Sequence, residues 1–156
     1  MEFDEIDRKI VELLQEDGRL SNAALAEAVG LTTSAVYERT KKLEKRGVIQ
    51  KYVALADPEL LGQEIAAFVR VTLAYPQGID YLEAKAEFRA FCMAETAVLE
   101  CHSVAGEDCF ILKVRTGTTL QLEKLLERLR GETIVASTVS NIVLSTIKET
   151  TKVAVG

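Results

Sequence analysis

Between Thr33 and Lys51 the chain gathers Arg39, Lys41, Lys42, Lys45, Arg46 and Lys51 against only Glu38 and Glu44. The chemistry such a cluster can do is phosphate binding, because ammonium and guanidinium groups displace counterions from a polyanion. The whole chain carries a formal charge of −5, so a general polyanion binder is not expected and any phosphate contact must be local. A solvated helix face is the plain alternative for such a run. Other reactive side chains are scattered. Cys92, Cys101 and Cys109 form no CxxC pair, and the single histidine, His102, adjoins Cys101, so on a strand the two would face opposite ways and could not share a metal. We expect reduced cysteines, no metal site and, for want of a nucleophile with its base, no catalysis.

The elements that must present the cations are helical. Ser21 is a good N-cap for a helix burying Leu25, Ala28 and Val29, with Ala26 small enough for a close crossing. Gly30 suits a left-handed C-terminal residue, and Thr32 or Thr33 caps the next helix, which runs to about Arg46 before Gly47. On it Val36, Thr40 and Leu43 share the inner face. Ser34, Glu38, Lys41 and Lys45 face outward, flanked by Tyr37 and Lys42. Thr33, Ser34, Tyr37, Glu38, Arg39, Lys41, Lys42 and Lys45 are therefore the candidate DNA-contacting residues. Ahead of them, Asp4 can cap a helix with Ile6, Ile10, Leu13 and Leu14 as its apolar stripe, ended near Gly18. Three helices with a turn at Gly30, followed by a short hairpin over Val48 to Val53, make a winged helix-turn-helix, a layout that reads duplex DNA.

A boundary falls around Asp57-Pro58-Glu59-Leu60-Leu61-Gly62. We expect a DNA-binding domain over 1–52, a linker over 53–63 and a second domain over 64–156. In that second domain Ala67, Val69, Val71 and Leu73 alternate with Phe68, Arg70 and Thr72, the period of a half-buried strand that Tyr75-Pro76 ends. Tyr81, Ala84, Phe88 and Phe91 recur at helical spacing. A strand from Ala97 to Val104, the turn Ala105-Gly106-Glu107-Asp108 and a strand through Phe110, Leu112 and Val114 imply a hairpin. Thr118 with Gln121 begins a helix through Leu122, Leu125, Leu126 and Leu129, and Ile134 to Ile147 reads as a long final strand. The order is the ferredoxin-like βαββαβ arrangement, so the fold class is α+β with both helices on one face of an antiparallel sheet. The bare face, which includes Phe68, calls for a second subunit and predicts a dimer.

With 156 residues and 48% hydrophobic side chains the chain can hold one large or two small domains. No apolar run approaches the roughly 18 residues of a membrane span, so we expect a soluble cytoplasmic protein with no membrane partner.

The chain resembles the Lrp/AsnC (leucine-responsive, feast/famine) family of prokaryotic transcription regulators over nearly its whole length. The matching residues are Asp4 to Ile10 with Leu13 to Arg19, Leu25 to Leu31, Lys41 to Glu44, Gly47 to Ile49, Asp57 to Gly62, Ala67 to Val71 and Glu100 to Gly106. The resemblance implies a regulator that binds specific double-stranded DNA, with dimers assembling to tetramers or octamers. It also implies an amino-acid effector, rather than a cofactor, bound between dimers near Val104, Ala105, Gly106, Glu107 and Asp108. Gly106 would let backbone N–H groups approach a carboxylate, and Glu107 or Asp108 could receive the ammonium. Thr138 and Ser140 match polar positions of the family's last strand and would form a second wall. A common family loop reads Gly-Asp-aromatic-Asp-aromatic, whereas this chain has Gly106-Glu107-Asp108-Cys109-Phe110, so leucine is not carried over as effector. A nucleoid-type architectural protein acting without an effector is the alternative.

Overall fold

A computed structural model describes residues 3–74, 80–106, 109–132 and 134–156. It divides into two units, the chain up to Leu55 together with Lys148–Gly156, and Ala56–Ile147.

The first unit is built from α1 (Glu5–Glu16), α2 (Asn22–Val29) and α3 (Thr33–Lys45). Each helix begins on a side-chain oxygen that accepts a backbone N–H left over at the helix start. Asp4 accepts from Asp7 N–H at 2.9 Å, Ser21 from Ala24 at 3.1 Å and Thr32 from Ala35 at 3.2 Å, so Thr32 rather than Thr33 is the cap. Gly30, at φ 70°, ends α2 in the left-handed region, and Leu31 N–H then returns to the Ala26 carbonyl at 3.0 Å. This turn redirects the chain into α3. Ile10, Leu25, Ala26, Val36 and Leu43 close a small core between the three helices.

The expected hairpin over Val48–Val53 does not form. Among the described residues 46–64 contain no strand, and Val53 and Leu55 are exposed. Alternating apolar residues can form a strand only where a second main chain lies alongside, and within this unit none does.

The second unit contains β1 (Ile65–Leu73), α4 (Tyr81–Ala94), β2 (Val98–Ser103), β3 (Phe110–Thr116), α5 (Thr119–Gly131) and β4 (Val135–Ile142). The four strands lie in the order β2-β3-β1-β4, every neighbour antiparallel. Ala67, Val69, Val71, Leu112 and Val114 point to the helix side and pack with Ala84, Phe88, Leu122, Leu125 and Leu129 in one core. The other face leaves Phe68 paired between Lys113 and Asn141, and Arg70 between Ile111 and Val139, with Phe68 and Val139 exposed. Thr118 caps α5 in a reciprocal box with Gln121.

The last strand is shorter than its composition suggests, ending at Ile142 instead of Ile147. Its neighbour β1 begins at Ile65; Val143 N–H still reaches the Ala66 carbonyl at 2.9 Å, one residue short of the end of β1. Leu144 and Ile147 are accordingly exposed. The linker turn before β1 is fixed by Asp57, which accepts Glu59 N–H, and by Gln63 N–H to the Pro58 carbonyl at 2.8 Å. It lies so close to the start of α5 that a Cβ on Gly117 would sit 2.6 Å from the Gly62 carbonyl oxygen.

Candidate nucleic-acid interface and effector loop

Helical periodicity gives α3 two opposed sides. Val36, Thr40 and Leu43 are buried against the other helices, whereas Thr33, Ser34, Tyr37, Glu38, Lys41, Lys42 and Lys45 are exposed. Lys41 Nζ lies 3.3 Å from Glu44 and 5.8 Å from the centroid of the Tyr37 ring, which holds the ring and the cation side by side. Glu44 also accepts the Tyr52 hydroxyl at 3.2 Å; burial first, then this carboxylate, raises the phenol above its usual range. Among the described residues Lys42 and Lys45 make no ion pair, and with Arg39, Arg46, Leu43 and Asp7 they line a cavity of about 220 Å³. Exposed ammonium groups without an internal anion can exchange counterions for phosphate at little cost.

Arg39 departs from the expectation. Its side chain is 18% exposed, and one nitrogen donates to Asp4 at 2.8 Å and to Asp7 at 2.7 Å. The position lies beside Thr40 on the shoulder of α3 that meets α1, so the guanidinium is drawn to the two acids at the start of that helix. Asp4 is held below the usual carboxylate range, first by the Asp7 N–H it accepts and then by Arg39. Arg39 is raised, by Asp4 first and Asp7 second. Its charge is spent on fastening α3 to α1, leaving the lysines as the outward cations. Asp4 and Asp7, three residues apart, supply the acids of this link, but Arg8 and Lys9 follow them directly and no local spacing singles out Arg39 as their partner.

On the sheet unit, Val104, Ala105 and Gly106 lie in the β2–β3 connection, with Gly106 at φ 147°, a conformation that favours glycine. Glu107 and Asp108 lie outside the described residues. Cys109 N–H donates to the Val71 carbonyl at 2.9 Å, and Val71 is opposite Thr138, so the end of the loop and Thr138 stand about 10 Å apart, two strand spacings, at one end of the sheet. Thr138 and Ser140 share the helix side of β4. Thr138 Oγ1 accepts from Arg130 Nε at 2.9 Å, while Ser140 Oγ is buried without a hydrogen-bond partner among the described residues. Val104–Gly106 and the two hydroxyls thus occupy neighbouring parts of one sheet end.

A cavity of about 530 Å³ lies at the opposite end of the β2–β3 hairpin. Pro58, Leu61 and Leu99 give it apolar walls, and Arg115, Lys124 and Arg128 add positive charge. Arg115 is anchored to the Gln63 carbonyl at 3.0 Å, and Arg128 Nε to Glu95 at 3.0 Å. No expected effector residue lines it, and its walls come from the linker, β2, β3 and α5, a combination that no local spacing announces.

The chain matches two domain families, the AsnC-type helix-turn-helix domain over residues 3–44 and the Lrp/AsnC ligand binding domain over residues 66–153. It is 41% identical over 144 residues to the HTH-type transcriptional regulator LrpA of Mycobacterium tuberculosis, covering 92% of this chain and 91% of that protein. It is 38% identical over 152 residues to the leucine-responsive regulatory protein of Haemophilus influenzae, covering 95% and 87%. Among solved structures, a Neisseria meningitidis transcriptional regulator in complex with L-Met superposes with a TM-score of 0.90 at 32% identity, covering 97% of this chain and 96% of the other. A feast or famine regulatory protein of M. tuberculosis complexed with L-methionine gives 0.84 at 38% identity, covering 97% and 98%. The helix-turn-helix with its outward lysines and the four-stranded sheet with its two-helix layer are thus those of the Lrp/AsnC family of transcription regulators, to which the chain belongs.

Proposed function

We propose that the protein regulates transcription by inserting α3 into the major groove of its DNA sites, under the control of an amino acid bound at the β2–β3 end of the sheet unit. The carrying observation is the division of α3 into a sealed inner side and an outer side on which Lys42 and Lys45 make no ion pair among the described residues. Ser34, Tyr37 and Glu38, toward the helix N-terminus, are placed to meet base edges, while Lys41, Lys42 and Lys45 meet phosphate oxygens. The bare sheet face with Phe68 and Val139 exposed is where a second copy docks, and the resulting dimer presents two reading helices to a roughly palindromic site. Its place of action is the cytoplasm.

The effector reading draws on Gly106, on the family's ligand binding domain and on the two similar structures that hold methionine. Val104, Ala105 and Gly106 offer backbone groups to the carboxylate, Glu107 or Asp108 takes the ammonium, and Thr138 and Ser140, supplied across the contact between dimers, complete the polar wall. A ligand of this kind changes DNA affinity only by the difference in its affinity for the two assembly states. The test is DNA footprinting on promoter and unrelated fragments, with and without L-methionine and L-leucine. Protection of discrete sites that changes with one amino acid supports the reading. Uniform, effector-independent protection of all fragments would establish an architectural protein instead.

A further inference from the structure

At the C-terminal end of α1 the amide side chain of Gln15 engages one residue of the chain's far end twice. Its Nε2 donates to the Val153 carbonyl at 3.0 Å, and its Oε1 accepts the Val153 N–H at 2.7 Å. One residue along, Glu16 forms an ion pair with Lys152, whose N–H is held by the Thr150 hydroxyl at 3.1 Å. A primary amide that both donates to and accepts from one residue's main chain reproduces a rung of a β-ladder, so it recognises an extended backbone rather than a side chain. Val153 as a whole is 74% exposed, in keeping with recognition through the main chain. These contacts lie within the helix-turn-helix unit, to which Lys148–Gly156 belongs, while β4 belongs to the sheet unit. Between them Leu144 and Ile147 are 96% and 99% exposed, so the intervening chain is not packed down.

We propose that the Gln15–Glu16 end of α1 is a docking site for an extended peptide segment, that its occupant is this chain's own C-terminal segment, and that the docking forms a second tie, beside the linker, from β4 to the DNA-reading unit. The site is suited to exchange. Its hydrogen bonds and ion pair are exposed, and such contacts are individually weak, so docked and released populations can be rebalanced by a modest differential. Resting on the effector reading above, the tie gives Thr138 and Ser140 on β4 a covalent route to α1: ligand at that strand changes how readily the tail reaches Gln15.

The test uses the full chain. Amide exchange at Val153 should be slowed at least about tenfold relative to an unprotected amide, and Gln15→Ala should remove that protection while Val36 and Leu43 in α3 keep theirs. Gln15→Glu, which retains an acceptor but loses the donor to the Val153 carbonyl, should fall between the two and decides the matter if Gln15→Ala also loosens α3. An unprotected Val153 amide in the wild type, or equal protection in all three proteins, overturns the docking site. DNA affinity with and without saturating L-methionine then separates the two readings. If Val153 protection follows Gln15 but the wild type ignores methionine, the docking stands and methionine is not the effector. If the wild type responds and Gln15→Ala responds equally with its tail released, the tie between tail and effector is overturned.

Discussion

The two units place function in opposite ways. In the helix-turn-helix unit the proposed reading surface is one side of a single helix, so residues three and four apart, such as Ser34, Glu38, Lys41 and Lys45, form a surface whatever the rest of the chain does. In the sheet unit the proposed effector site draws on the loop after β2 and the hydroxyls of β4, which reach the same end of the sheet only through the order in which β3 and β1 lie between them. A surface written on one element is robust and local; a site written across four strands depends on the whole sheet and on what docks against it. The cores differ in the same sense. The first unit seals Ile10, Leu25, Ala26, Val36 and Leu43, and supplements them with the Arg39 link, whereas the second has a continuous layer under Phe88, Leu125 and Leu129.

This contrast can be broken from either side. Phe88 is fully buried against Phe110, with ring centroids 4.6 Å apart, and Phe88→Ala should cost about 4 kcal/mol, seen as a lowered denaturation midpoint of the sheet unit. Arg39→Ala leaves Asp7, 5% exposed at its side chain, without its cation and should destabilise the helix-turn-helix unit by about 3 kcal/mol. If the units are independent, each change moves one urea transition and spares the other; a single shared transition in both variants would show that they unfold together. Thr40 supplies a smaller change of opposite sign. Its buried hydroxyl has no hydrogen-bond partner among the described residues, so Thr40→Val should stabilise the first unit by about 1 kcal/mol, and a loss of stability would reveal a partner for that oxygen.

The pH response is the finest probe. Asp4 has a lowered pKa in the folded chain, so its stabilising contribution is complete above the unfolded carboxylate range and is lost as pH falls through the folded value. Glu100 on the open sheet face is lowered as well, by His102 at 3.0 Å first and, more weakly, by Lys113 at 3.6 Å. Its contribution follows the same sign. Acid titration monitored by helix content should therefore lose a component in Asp4→Ala but not in Glu100→Gln, and identical curves for wild type and Asp4→Ala would remove Asp4 from the acid response.

What the sequence discloses follows from the same contrast. The caps at Asp4, Ser21 and Thr118, the turn at Gly30 and the sealed triad Val36, Thr40 and Leu43 are local patterns and are legible at once. The strand alternation of β1 and β3 is equally plain, and with it the sheet's two faces. Arg39 is not, because whether a shoulder position looks out or in depends on where α1 lies across it. The missing hairpin after Gly47 and the early end of β4 have one cause, since a strand requires a neighbour and composition cannot say whether one is present. The grip of Gln15 on Val153 joins residues 138 positions apart and leaves no mark in either segment.

At the centre of the proposed function stands the neutralisation of DNA phosphates by Lys42 and Lys45 on the outer side of α3. Its most direct test is the slope of log Kd against log salt concentration for a specific duplex, in the wild type and in a Lys42→Ala, Lys45→Ala variant. Two lost phosphate contacts should reduce the magnitude of the slope by about 2, with specific and unrelated duplexes weakened alike. A slope that is unchanged while the variant remains folded would contradict the claim.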